Sequence, residues 1–154
     1  MGASGVFGKL QLKDQDAIVV LNAPSSFEKE LRDLKGVQIH REFAGPTRFA
    51  LAFMTTWPEL ERYAKGLDRH AEGDAVVWAA YPKGSSKRYT TELGRDAGWQ
   101  PLGDLGYEPV RMIAIDEDWT AIRFRRAEYI KSVTRGSEHA MSKLGKAKAR
   151  KRSR

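Results

Sequence analysis

The segment of this chain best placed to do chemistry is Lys83-Gly84-Ser85-Ser86-Lys87-Arg88. It sets cations and two hydroxyls directly after an apolar run, Ala75 to Tyr81, and a proline. Hydroxyls in such a place open helices, and the first turn of a helix presents free N–H groups that favour anions. Lys83, Ser85, Ser86, Lys87 and Arg88 are therefore candidate ligands for a phosphate or carboxylate. The spacing Gly-x-x-x-x-Gly-Lys-Ser/Thr is missing, so this is not a phosphate loop of the nucleotide-triphosphate type. An ordinary capped helix with solvated charges would use the same residues.

A second acidic candidate is Asp116-Glu117-Asp118, which could hold a divalent cation or move protons. Hairpin turns also favour acids for their local hydrogen bonds, and that reading is preferred, with Asp116 and Asp118 kept as a polar edge to the site. His40, His70 and His139 show no ligand spacing, so no metal is expected. Ser25 and Ser26 lack the pattern of a nucleophile elbow. The chain has no cysteine, which excludes disulfides and thiolate chemistry. Trp78, Trp119 and Phe124 fall in apolar strands and read as core, and packing is also the expected use of Trp57 and Trp99 near helix ends.

The elements that must position these residues repeat one move: apolar strand, turn, hydroxyl, helix. Ala17 to Leu21 is a strand by its β-branched content, followed by Asn22-Ala-Pro-Ser-Ser26 and a helix over Phe27 to Leu34. Ser25 and Glu28 stand as in a capping box, and Gly36 ends that helix. Val37 to Phe43 alternates like a half-exposed strand, and Gly45-Pro46 turns the chain into a strand over Arg48 to Met54. Thr56 and Glu59 form a second capping box with Pro58 in the first turn, ahead of a helical face of Leu60, Tyr63, Ala64 and Leu67. The third strand ends at Tyr81, and a helix is expected from Ser86 to about Ala97, stopped by Gly98. Val110 to Ile115 and Trp119 to Arg126 read as a closing hairpin.

Alternating strands and helices imply a small three-layer α/β domain with a parallel-rich sheet and a C-terminal antiparallel hairpin. Ligands of such sheets bind outside the carboxyl ends of the strands, which adds Asn22, Ser25 and Thr55 to the candidate site. Residues 9–130 are read as the single domain, with 1–8 a disordered N-terminus and 131–154 a disordered basic tail. The tail holds nine Lys/Arg against one acid, whereas the rest of the chain is nearly neutral, so the formal charge of +7 belongs to the tail. Weak, sequence-blind nucleic-acid contact through residues 131–154 is a reading of that charge, and the lack of aromatics there argues against base stacking. No apolar run approaches the ~18 residues that span a membrane, and no secretory leader is evident, so a cytoplasmic chain without membrane contact is expected.

Two further stretches, Val77-Trp-Ala-Ala-Tyr-Pro-Lys83 and Asp118-Trp-Thr-Ala-Ile-Arg123, with a weaker Lys9-Leu-Gln-Leu-Lys13, carry a family likeness. Over roughly residues 8–127 the chain resembles a bacterial family catalogued as domain of unknown function 3052. In element order it resembles a reduced, Rossmann-like class I methyltransferase domain. The resemblance implies a fold and no activity. It also implies where S-adenosylmethionine would sit, and there the chain departs from the pattern. The turn after the first strand, Asn22 to Ser26, has no glycine, and Val37 to Phe43 offers only Glu42 in place of the acid that holds the ribose. S-adenosylmethionine is disfavoured, and no cofactor is expected.

The leading expectation is a non-catalytic binding module that takes an anionic ligand or partner around Lys83–Arg88. The alternatives are a diverged methyltransferase-like transferase in the same cleft and an interaction module acting through its basic tail.

Overall fold

The computed structural model describes residues 5–94 and 99–130. The strands are β1 (Ala17–Leu21), β2 (Gln38–His40), β3 (Thr47–Phe53), β4 (Ala71–Pro82), β5 (Tyr107–Ala114) and β6 (Trp119–Arg126). Helices α1 (Val6–Lys9), α2 (Glu28–Arg32), α3 (Trp57–His70) and α4 (Gln100–Gly103) join or precede them. The six strands form one sheet in the order β2-β1-β3-β4-β6-β5. β1 to β4 pair in parallel, and β6 pairs antiparallel with both β4 and β5. The expected Rossmann-like α/β architecture with a closing hairpin is what the chain adopts.

β4 organises the interior because both of its faces are covered. Val77, Ala79 and Tyr81 belong to the core beneath α3 and α4, with Leu60, Tyr63, Leu67 and Leu102 opposite them. Val76, Trp78 and Ala80 belong to the other core, with Phe7 and Leu10 of the N-terminal segment and Phe27 and Leu31 beside α2. The period-two alternation of a strand is what sends consecutive apolar residues to opposite layers. Small residues on the α3 side (Ala50, Ala52, Ala79) leave room for Tyr63, whose hydroxyl donates to the Trp78 carbonyl at 2.9 Å. Burial pushes the Tyr63 phenol well above its ordinary pKa, so it stays a neutral donor.

Three local expectations are corrected. Residues 5–8 are ordered: Phe7 is 2% exposed, and the Trp78 indole N–H donates 2.8 Å to the Leu10 carbonyl, pinning this segment to β4. Residues 1–4 lie outside the described residues, as does the tail 131–154. The Ser25–Glu28 capping box does not form. Ser25–Phe27 is a 3-10 turn, and the Glu28 carboxylate instead accepts two hydrogen bonds from Arg41 at 2.7 and 2.9 Å. β2 is only three residues long, shorter than the alternating stretch Val37 to Phe43, while Gly45-Pro46 lies in the loop to β3 as expected. No helix among the described residues is long and apolar enough to cross a membrane.

The β2–β3 loop is anchored by Phe43, whose ring stacks on His70 at 5.4 Å and lies 6.1 Å from Tyr63. Gly66, in the middle of α3, leaves the space that the Phe43 ring fills, and a Cβ there would overlap it. Gly66→Ala gains about 1 kcal/mol of helix propensity but displaces a ring held between two neighbours. Overpacking of this kind costs about 1–3 kcal/mol, so the net change is destabilising. Urea unfolding of the variant is expected to show a lower midpoint at unchanged slope, and a higher midpoint would show that Phe43 moves away freely.

Candidate functional site

β5 and β4 are both antiparallel to β6, so β5 runs in the direction of β1 to β4. The turns that follow β1, β3, β4 and β5 therefore share the carboxyl edge of the sheet, where the fold class places its ligands. Asn22, Ser25, Thr55, Lys83–Arg88 and Asp116–Asp118 all lie on that edge.

The structure joins the two sequence candidates. The Lys83 N–H donates to the Asp118 carbonyl at 2.8 Å, and the Ser86 hydroxyl donates to the Asp118 carboxylate at 2.9 Å. Arg88 lies 3.8 Å from the other carboxylate oxygen. The Asp118 side chain is only 15% exposed, so this is a braced loop rather than a solvated turn. Asp116 is spent inside its own turn, accepting from the N–H groups of Asp118 and Trp119 at 2.8 and 2.9 Å. Lys83 is half-buried and Ser85, Lys87 and Arg88 are exposed; Lys83 and Lys87 form no ion pair among the described residues.

The expected helix after Ser86 is absent: residues 83–94 are turns and irregular chain, and 95–98 fall outside the described residues. Ser86 does act as a local cap, accepting from the N–H groups of Arg88 and Tyr89 at 3.2 Å each. No helix propagates because Tyr89, Thr90 and Thr91 are poor formers and the next residues bond elsewhere. Glu92 donates its N–H to the Thr55 carbonyl at 2.9 Å, and its carboxylate accepts from the Trp57 N–H at 2.9 Å. Any anion here would meet side-chain cations and loop N–H groups, not a helix terminus.

Thr55 is occupied by structure. Its N–H and hydroxyl both donate to Glu59, at 2.9 and 3.2 Å, and its carbonyl also accepts from the Thr91 hydroxyl. The Thr56–Glu59 capping box forms as expected. Partial burial alone would raise the Glu59 carboxyl, but the donors of Thr55 and Thr56 outweigh it and hold it below its ordinary value.

The strand order reverses between β1 and β3, the switch point at which this class of sheet opens a crevice. Asn22 stands there in the left-handed region at φ 57, and its amide donates 3.3 Å to the Phe53 carbonyl at the end of β3. A non-glycine residue thus makes the sharp turn, and its side chain laces the two strand ends together. Ala23, Pro24 and exposed Ser25 follow, so the turn has no glycine of the kind that lets a nucleotide approach the backbone closely. β2 ends at His40, followed by Arg41, which is committed to Glu28, and Glu42 is exposed beyond it. A glycine in the turn and an acid at the end of β2, the two features that the family likeness implies for an adenosyl cofactor, are both missing.

Sequence reasoning missed the aromatic support under the loop. Tyr89 packs on Trp119 at 4.9 Å, and Trp119 meets Phe53 edge-on at 5.1 Å. The Trp119 indole N–H is buried without a partner among the described residues. The only signal was the aromatic content itself, since Tyr89, Trp119 and Phe53 are far apart in the chain. Among the described residues no group of three or more His, Asp or Glu side chains is arranged to hold a metal ion; His70 serves the Phe43 stack and His139 lies outside the described residues.

Comparison with solved structures places the sheet among methyltransferases. A SAM dependent methyltransferase from Aquifex aeolicus superposes with a TM-score of 0.54 at 14% identity, over 79% of this chain and 87% of that one. The N-methyltransferase NodS from Bradyrhizobium japonicum gives 0.47 at 8%, over 73% and 85%. A putative type 11 methyltransferase from Sulfolobus solfataricus gives 0.46 at 8%, over 72% and 84%. The first likeness shows a shared Rossmann-like methyltransferase fold, and at these identities it shows the fold alone. No family model and no curated protein matches the sequence.

The Asp118 brace carries a prediction. Asp118→Ala removes the acceptor of Ser86 and the counterion of Arg88, a loss of about 1–2 kcal/mol of local stability. Hydrogen exchange is expected to show the Ser86 amide losing protection while β4 amides keep theirs. Unchanged protection at Ser86 would mean that the Tyr89–Trp119 packing holds the loop by itself.

Proposed function

We propose that this chain is a methyltransferase-like Rossmann domain used as a binding module, taking an anionic small molecule or an anionic partner at the carboxyl edge over Lys83–Arg88. The observation that carries the reading is the Asp118 brace, which holds a cation-rich loop in place at the fold's ligand edge and leaves Lys83 and Lys87 without ion pairs among the described residues. Preorganised cations lose less freedom on binding than mobile ones. Membership of the bacterial family of unknown function is part of the proposal. It is supported by the two quoted motifs, which lie side by side, with Trp78 opposite Arg123 and Pro82 opposite Trp119. A cytoplasmic setting and weak, salt-dependent nucleic-acid contact by residues 131–154 belong to the same reading.

A second reading, an S-adenosylmethionine-using transferase, is favoured by the likeness to the Aquifex aeolicus enzyme. In it Asp118 would be the polar group nearest the acceptor. The laced turn at Asn22 weighs against it.

Thermal unfolding of the full chain with nucleotides, phosphosugars and S-adenosylmethionine separates the two. A ligand at 100 times its dissociation constant adds ~2.7 kcal/mol. The binding reading expects a phosphorylated ligand to raise the melting temperature beyond the rise given by the same concentration of inorganic phosphate, and Lys83→Ala with Lys87→Ala to remove that excess. A rise with S-adenosylmethionine alone, untouched by those substitutions, would establish the transferase reading in its place.

A further inference from the structure

A second cationic cluster lies away from the carboxyl edge, on the sheet face that carries α1. The β5–β6 register sets Arg111 directly opposite Arg123, and Arg125 follows two residues on along the same face. Like charges directly opposite across a ladder repel and destabilise it. Arg125 is compensated, forming a two-pronged pair with Asp74 at 2.9 and 2.7 Å. Arg111 and Arg123 form no ion pair among the described residues.

Arg123 is the more demanding of the two. It is half-buried, its Nε is inaccessible and unpartnered, and one Nη donates to the Gln11 side-chain oxygen. Burial first, and then the neighbouring Arg125 and Arg111 charges, depress its pKa against the opposing pull of Asp74. Gln11 is held between buried Leu10 and Leu12 in the left-handed region at φ 63, a conformation that costs a non-glycine residue energy. The N-terminal segment is thus bent to bring one neutral acceptor to a cation that has no carboxylate of its own. Buried charge needs a countercharge, and an amide oxygen does not supply one.

We propose that Arg111 and Arg123 form an oxyanion site on this face, occupied by a phosphate group that bridges the two guanidinium groups while Gln11 positions Arg123. Two cations match a dianion, whereas a single carboxylate would leave one of them uncompensated. Planar guanidinium forks also match phosphate oxygens in pairs. Lys9, on the rim, is committed to the Ala114 carbonyl at 3.2 Å. The site does not depend on the Lys83–Arg88 reading, since the two clusters share no residue.

The test is thermal unfolding of the full chain at matched ionic strength in chloride, inorganic phosphate and a nucleoside diphosphate. The wild-type chain is expected to melt several degrees higher with phosphate than with chloride. Arg123→Met and Arg111→Gln are each expected to abolish that difference, and Lys83→Ala with Lys87→Ala to preserve it. In chloride, Arg123→Met is expected to melt no lower than wild type, because an uncompensated charge has been removed. Arg111→Gln, at an exposed position, keeps the test readable should Arg123→Met disturb the fold. A response to inorganic phosphate that Arg111→Gln removes assigns a free-anion site, and a response confined to the diphosphate that Arg111→Gln removes assigns a phosphate carried on a larger ligand. Equal melting in all three solutions, or a phosphate response that survives in Arg111→Gln, overturns the proposal.

Discussion

Burial of β4 on both faces is the constraint from which the rest follows. A strand with Trp78 at no exposure and apolar residues on either side needs a full layer above and below it. α3 supplies one layer through Leu60, Tyr63 and Leu67. The other is assembled from smaller pieces: Phe7 and Leu10, Phe27 and Leu31, and Trp119 from the neighbouring strand β6. The Trp78 indole and carbonyl reach into both layers, bonding Leu10 on one side and Tyr63 on the other. Because β4 is central and parallel to β3, its carboxyl end opens at the ligand edge of the fold, and the Lys83–Arg88 loop sits there of necessity.

The same geometry underlies the proposed site at the carboxyl edge. The switch point between β1 and β3 is where the fold ordinarily opens, and here the Asn22 side-chain amide bonds the Phe53 carbonyl across it. The loop after β4, by contrast, is braced and cationic. On the proposed reading the ligand edge is used at β4 rather than at β1, within the fold shared with the Aquifex aeolicus protein. Fold and site are separable properties of one chain.

Much of this was legible in the residues. β1 and β6 lie where β-branched and aromatic content put them, and the Thr56–Glu59 box and the buried face of α3 follow from spacing alone. Local patterns failed where a distant partner outbid them. Ser25 and Glu28 have capping-box spacing, but Arg41 takes the carboxylate. Ser86 has the look of a helix start, but Asp118, thirty-two residues on, accepts its hydroxyl hydrogen bond and Thr55 holds the next segment. Val6 to Lys9 is too short and glycine-rich to announce a helix, and it is ordered only because Phe7 and Leu10 complete the layer over β4.

On the proposed binding reading the β1–β3 switch point stays closed to an adenosyl cofactor. Two-dimensional amide NMR of the isotope-labelled full chain, titrated with S-adenosylmethionine, addresses it residue by residue. The closed crevice predicts that the amides of Asn22, Ala23, Ser25 and Ser26 and the Asn22 side-chain amide hold their positions through the titration. Saturable shifts at those residues would contradict it, since they would mean that the Asn22–Phe53 bond opens and the cofactor enters where this structure laces the strands shut.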